Sequence, residues 1–99
     1  AELSVMKADS IIINTARGGL VDESALLNAL KGKCIAAAGL DVLEDEPPSL
    51  HHPLINYDGD NLIITPHVAW ASRESRQNLI NEVATNITAF QQGKPRNSL

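Results

Sequence analysis

The stretch Ala36–Pro48, Ala-Ala-Ala-Gly-Leu-Asp-Val-Leu-Glu-Asp-Glu-Pro-Pro, decides the fold. Its first five residues are apolar and too small-sided for the core-facing stripe of a surface helix, so they read as a buried strand. A single acid, Asp41, precedes Val42 and Leu43, and the run ends in Glu44-Asp45-Glu46, stopped by Pro47 and Pro48. Ligands of open α/β sheets bind beyond the carboxyl ends of parallel strands, so a strand that ends in carboxylates is a place for chemistry. Two other stretches end in the same manner, one at Arg17 and one at His67. An arginine, a glutamate and a histidine at three strand ends are the functional signal.

Upstream, Ser10–Asn14 is Ser-Ile-Ile-Ile-Asn, rich in β-branched side chains and without alternation. That pattern predicts a parallel strand buried on both faces. Thr15–Gly19 is the turn after it, and the glycine pair permits close backbone approach or positive φ. Asp22 fits an N-cap, Ala25, Leu26, Ala29 and Leu30 recur at helical spacing, and Gly32 is a stop signal. With the strand Ile35–Leu40, residues 10–40 predict a right-handed βαβ unit. Residues 1–9 resemble a helix end or a connecting turn.

Downstream, Ser49–Asp60 is polar and turn-rich, with one helical turn near Pro53–Ile55. Asn61–Thr65 is the third strand, and Pro66 ends it because proline brings no ladder donor. A long helix then runs from about Ser72 to Gln92. Ser72 caps it, Glu74 suits its positive end, and Leu79, Ile80, Val83, Ala84, Ile87 and Phe90 share one face. Gly93 and Pro95 terminate it. The fold class is α/β: about three parallel strands with helices, half of a doubly wound sheet. Such a sheet needs cover on both faces, more than this chain supplies, so missing partners are expected.

Composition narrows the function. Ninety-nine residues make one small domain at most, and 43% hydrophobic with 20% charged residues is ordinary for a globular chain. A net charge of −4 argues against nucleic-acid binding, which needs a basic face. No apolar run approaches the ~20 residues of a membrane-spanning helix. The lone Cys34 reads as a small buried hydrophobe in a reducing cytosol, so a cytoplasmic location is expected. The chain starts Ala-Glu-Leu, with no initiator methionine and no signal segment, which reads as a fragment.

Each candidate side chain has a chemical reading and a plainer one. The Arg17 guanidinium can hold a carboxylate bidentately, or be a surface arginine. His67 can pass a proton to or from an alcohol or carbonyl oxygen, or be a hydrogen-bonded loop histidine. A carboxylate on one of its ring nitrogens would fix the tautomer and favour the proton-bearing ring. Glu44, Asp45 and Glu46 all offer that carboxylate, and by chemistry alone the three stay equivalent. Asp41 can accept a hydrogen bond from a ligand amide, or cap a turn. His51 and His52 read as solvated, and no spacing here matches a zinc-ligand motif.

The segments Asn14-Thr15-Ala16-Arg17-Gly18-Gly19-Leu20-Val21-Asp22, Gly39-Leu40-Asp41-Val42, Glu46-Pro47 and Thr65-Pro66-His67 together resemble the D-isomer-specific 2-hydroxyacid dehydrogenases. The likeness runs through nearly the whole chain, in order. His67-Val68-Ala69-Trp70-Ala71-Ser72 is similar to the glycerate dehydrogenase (hydroxypyruvate reductase) branch rather than to the phosphoglycerate branch, which tends to have glycines after the histidine.

The resemblance implies a Rossmann-like sheet and an oxidoreductase using NAD or NADP. It implies that Arg17 binds the substrate carboxylate and polarises its 2-oxo group. By the same likeness Glu46 is the partner of the histidine, and His67 is the general acid/base. Asp41 would contact the nicotinamide carboxamide, and Thr15, Ala16, Ala69 and Trp70 would line the cofactor. The implied substrate is a small 2-oxo or 2-hydroxy acid, with hydroxypyruvate and glyoxylate first.

The dinucleotide fingerprint Gly-x-Gly-x-x-Gly is missing from these residues. The likeness therefore covers the C-terminal part of the cofactor domain, with the last helix that in the family returns to the substrate domain. The missing N-terminal part of the parent chain is an expected partner. The 99 residues alone are expected to be inactive and to associate through an exposed apolar patch, and the parent to be a homo-oligomer. Two other readings are a non-catalytic α/β interaction module and a reductase for another 2-oxo acid, such as a phosphoglycerate dehydrogenase. A receiver-like signalling domain would want its paired acids on an earlier strand.

Overall fold

Short runs of β-branched and small apolar residues form the sheet in the computed structural model, which describes residues 2–98. Strands β1 (Ile11–Asn14), β2 (Ala37–Leu40) and β3 (Leu62–Ile64) pair in the order β1-β2-β3, all parallel. Their register aligns Ile13 with Gly39 and Ile63, and Asn14 with Leu40 and Ile64. The three chain segments that leave the sheet therefore leave from the same edge. That edge carries Arg17, Asp41 and His67.

Between β1 and β2 the chain forms a 3-10 turn at Gly18–Leu20 and helix α1 (Glu23–Lys31). Asp22 caps α1 as its sequence predicts, its Oδ1 accepting from the Ala25 N–H at 2.8 Å. Gly32 also ends the helix, but in a right-handed conformation (φ −78°), and Lys33 takes the left-handed position at φ 52°. The Cys34 N–H closes on the Ala29 carbonyl at 2.9 Å, and the chain joins the sheet only when the Ala36 N–H reaches the Ser10 carbonyl. This turn explains two departures from expectation. The second strand starts at Ala37 rather than Ile35, although Ile35 is buried, and Cys34 is exposed rather than buried.

The core lies on one face of the sheet. Leu26 and Leu30 of α1, Ile35, and Leu54 of the turn-rich loop are its largest fully buried side chains, packed with Ala38, Leu40 and Leu43. Side chains alternate along a strand, so Ile11, Ile13 and Ile63 point the other way. They are 62%, 74% and 69% exposed. The expectation of a first strand buried on both faces is thus corrected: within this unit α1 and the Leu54 loop cover a single face.

Two compact units divide the chain, the first ending at Val68 and the second opening at Ala69. The second consists of helix α2 (Arg73–Gln91) and its flanks. Ser72 caps α2 through its Oγ, which accepts from the Ser75 N–H at 3.0 Å, and Gly93 at φ 69° follows its end. The tail then bonds back to the helix, with Arg96 on Glu82 at 3.0 Å and Asn97 on Asn86 at 3.2 Å. No residue of α2 is buried, and the apolar face read from the sequence is exposed at Leu79, Ile80, Val83, Ile87 and Phe90. No helix among the described residues is long and apolar enough to cross a membrane.

Candidate functional site

The segment after β3 is held by the end of β2. Asp41, 4% exposed, accepts from the Thr65 hydroxyl at 2.5 Å and from the Val68 N–H at 2.9 Å, both on Oδ1. The His67 N–H bonds the Thr65 carbonyl at 3.0 Å, and His67 itself sits at φ 54°. A left-handed histidine is uncommon, and such a conformation persists only where its surroundings over-determine it. Here Asp41 holds the amide on one side of His67 and Thr65 the other. The turn role of Asp41 is therefore realised at Oδ1, and that role positions the histidine.

The acidic loop supplies the partner. Glu46 Oε2 lies 2.8 Å from His67 Nδ1, and Glu46 Oε1 accepts from the Leu43 N–H at 3.0 Å. Of the three acids, Glu46 alone is bonded to the imidazole among the bonds seen in the described residues. Both side chains remain partly open to solvent, at 42% for His67 and 37% for Glu46. The His67 hydrogen bond first, and the Leu43 N–H second, hold the Glu46 carboxyl below the ordinary carboxylate range.

A carboxyl with a depressed folded value adds stability that is complete above its unfolded value, and loses it as pH falls through the folded one. The His67–Glu46 bond should thus be intact at pH 7 and lost only as pH falls below the ordinary carboxylate range. An NMR titration of the Glu46 carboxyl carbon should show a midpoint below that of an exposed reference glutamate. A midpoint at or above the reference would contradict the pairing.

The turn after β1 is packed hard against the same loop. A Cβ on Gly18 would fall 2.0 Å from the Leu43 carbonyl carbon and 2.3 Å from the Glu44 nitrogen, whereas one on Gly19 would meet nothing within 4 Å. Of the two uses the sequence allowed for this glycine pair, close approach is the one found, and only at Gly18. Asn14, buried, shapes the turn: its Oδ1 accepts from the Ala16 N–H at 3.1 Å and its Nδ2 donates to the Arg17 carbonyl at 2.8 Å. Arg17 is exposed, and its Nη1 donates to the Ala16 carbonyl at 2.6 Å. Thr15 and Ala16 are exposed as well.

A cleft of about 410 Å³ opens beside Glu46 and His67. Asp41 and Thr65 line it with Leu43, Ile55 and Ile64, so its wall is mostly apolar with a few convergent polar groups, as small-molecule sites are. Arg17 does not line this cleft. Ala69 and Trp70 belong to the second unit, and both are exposed.

Sequence reasoning missed Asn14, Thr65, Glu23 and His52. Asn14 and Thr65 are the last polar residue of one run and the first after another, a signal that was available. His52 is not solvated as expected: it is 12% exposed and its Nε2 lies 3.0 Å from Glu23 Oε2.

Comparison with known proteins identifies the family. The profile of a family described as "D-isomer specific 2-hydroxyacid dehydrogenase, NAD binding domain" matches residues 1–69. A glycerate dehydrogenase of Methylorubrum extorquens is 54% identical over 96 residues, which are 97% of this chain and 31% of the relative. A glyoxylate reductase of Aeropyrum pernix is 46% identical, over 95% of this chain and 28% of its own length. Among solved structures, an acyclic imino acid reductase in complex with NADPH and D-Arg superposes with a TM-score of 0.78 at 40% identity, covering 98% of this chain and 30% of that one. The chain thus spans about 30% of the length of the relatives it matches.

Proposed function

Because the chain belongs to the NAD-binding domain family of the D-isomer specific 2-hydroxyacid dehydrogenases, we propose that it carries the acid/base half of a nicotinamide-dependent 2-oxo acid reductase. The observation that supports this best is the Glu46–His67 pair at 2.8 Å, beside an apolar cleft beyond the carboxyl ends of parallel strands. The full-length protein reduces hydroxypyruvate to D-glycerate and glyoxylate to glycolate. Glycerate dehydrogenase and glyoxylate reductase are the functions of relatives at 54% and 46% identity.

These residues fit the nicotinamide end of NAD or NADP rather than its pyrophosphate. The cleft offers Asp41, Thr65 and His67 on an apolar wall, while the 99 residues contain no Gly-x-Gly-x-x-Gly. When bound, the cofactor supplies the hydride. His67 delivers a proton from Nε2 to the oxygen of the 2-oxo group, and takes it back in the reverse direction. Glu46 holds Nδ1, which fixes the ring's orientation and balances its charge. Arg17 grips the substrate carboxylate and polarises the carbonyl. Thr15 and Ala16 line the cofactor, and Asp41 receives the carboxamide. A cytoplasmic setting, with the exposed Cys34 thiol kept reduced, belongs to the same proposal.

The test is loss of NADH or NADPH absorbance when the full-length protein is given hydroxypyruvate or glyoxylate. Turnover with one of them is expected, and none with either pair would overturn the proposal. In the same assay Arg17→Lys should raise KM by about tenfold or more, since an ammonium cannot reproduce a bidentate grip. An unchanged KM would remove Arg17 from substrate binding. The isolated 99 residues should be inactive and should associate through exposed apolar residues such as Ile13, Ile63 and Phe90. A monomer in light scattering at high concentration would contradict the association.

A further inference from the structure

Glu23 and His52 form a second glutamate–histidine pair in the first unit, outside the set of residues given a catalytic role. Their side chains are 17% and 12% exposed. Glu23 uses both carboxylate oxygens: Oε1 accepts from the Glu44 N–H at 2.8 Å, and Oε2 meets His52 Nε2 at 3.0 Å. His52 uses both ring nitrogens. The Leu54 N–H donates to Nδ1 at 3.3 Å, which leaves Nε2 as the nitrogen that carries hydrogen and donates to Glu23. One carboxylate thus ties the first turn of α1 to the acidic loop and to the loop that buries Leu54.

The place it ties is critical for the chemistry. Glu23 holds the Glu44 N–H, and the adjacent Leu43 N–H holds Glu46 Oε1. Gly18 packs against the same Leu43–Glu44 peptide from the turn that carries Arg17. Two consecutive amides are therefore gripped by two glutamates, one reaching back to α1 and the other reaching forward to His67. We propose that Glu23 and His52 are a positioning pair that sets the Leu43–Glu46 loop and, through it, the Glu46 carboxylate against His67. This inference rests on the acid/base role given above to Glu46 and His67. Neither Glu23 nor His52 touches substrate.

Substitutions at His52 separate positioning from simple stabilisation in the full-length protein. His52→Gln keeps a donor where Nε2 stood and loses the acceptor for Leu54. His52→Asn keeps that acceptor and loses the donor to Glu23. Glu23→Ala removes the link altogether. With a misplacement of about 1 Å costing on the order of 10²-fold, kcat should fall about tenfold or more in His52→Asn and Glu23→Ala, with KM for glyoxylate unchanged, while His52→Gln stays within about threefold of wild type.

The second readout is the low-field Nδ1–H proton resonance of His67 in the ¹⁵N-labelled protein, which reports its bond to Glu46 without any turnover. It should move or vanish in His52→Asn and persist in His52→Gln. Equal kcat and an unmoved resonance in the two His52 variants would overturn the inference, whether or not Glu23→Ala folds. If wild type turns over no 2-oxo acid, the proposed reaction fails, yet the resonance still decides whether the pair positions Glu46.

Discussion

Replacing His67 by alanine in the full-length protein should lower kcat by about 10²–10⁴-fold, the range a positioned general acid contributes. The effect should fall on kcat far more than on KM. In the proposed reaction His67 meets the oxygen on which negative charge develops as hydride arrives, an interaction stronger in the transition state than in the ground state. The fold should tolerate the change. The His67 and Val68 amides are held by the Thr65 carbonyl and by Asp41, and the ring is 42% exposed. Stopped-flow or steady-state kinetics on hydroxypyruvate, beside a thermal melt of the same variant, makes the check. A fall of less than about threefold would mean that another group supplies the proton.

Gly18→Ala should be the most damaging single methyl group in the first unit. Its Cβ would stand 2.0 Å from the Leu43 carbonyl carbon and 2.1 Å from its oxygen, and the obstruction is backbone rather than a flexible side chain. Either the turn after β1 or the Leu43–Glu46 loop must move away. If the loop moves, the Leu43 N–H bond to Glu46 Oε1 is disturbed, and if the turn moves, Arg17 shifts with it. Overpacking a close-packed contact costs typically 1–3 kcal/mol and occasionally more, and about 3 kcal/mol or more is expected here. Gly19→Ala, with nothing within 4 Å of its Cβ, is the control and should change stability by about 0.5 kcal/mol or less. Urea midpoints of the two variants in the full-length protein give the comparison. Equal midpoints would show that the Gly18 contact relaxes at little cost.

Much of this arrangement was legible in the residues. Ile11–Ile13, the small apolar run at 37–40 and Leu62–Ile64 are strands because β-branched and small apolar side chains suit a covered pleated surface, and all three were placed within two residues. The caps Asp22 and Ser72 were readable because a short polar side chain before a helical period has one favourable use. Burial was less legible. An unbroken isoleucine run predicts cover on both faces, but what covers a face lies far away in sequence or outside the chain, and Ile13 is 74% exposed.

The site divides in the same way. The choice of Glu46 over Glu44 and Asp45 came from family likeness, since three adjacent acids offer the same chemistry. The bond to His67 depends on how the loop folds back over Gly18, which local sequence does not encode. His52 was misread because a polar loop predicts solvent, whereas its ring is enclosed by a carboxylate 29 positions earlier. Gly32 and Lys33 exchange the roles expected at a helix end, because a right-handed glycine passes the left-handed position to the next residue.

The most direct test of the Glu46–His67 unit is a double-mutant cycle in the full-length protein, with kcat for hydroxypyruvate reduction measured in wild type, Glu46→Gln, His67→Ala and the double variant. If Glu46 acts only by holding His67, the double variant should be no slower than His67→Ala alone, since removing the imidazole leaves the carboxylate nothing to orient. If the two losses multiply, Glu46 and His67 work independently, and their 2.8 Å contact is not the acid/base device described here.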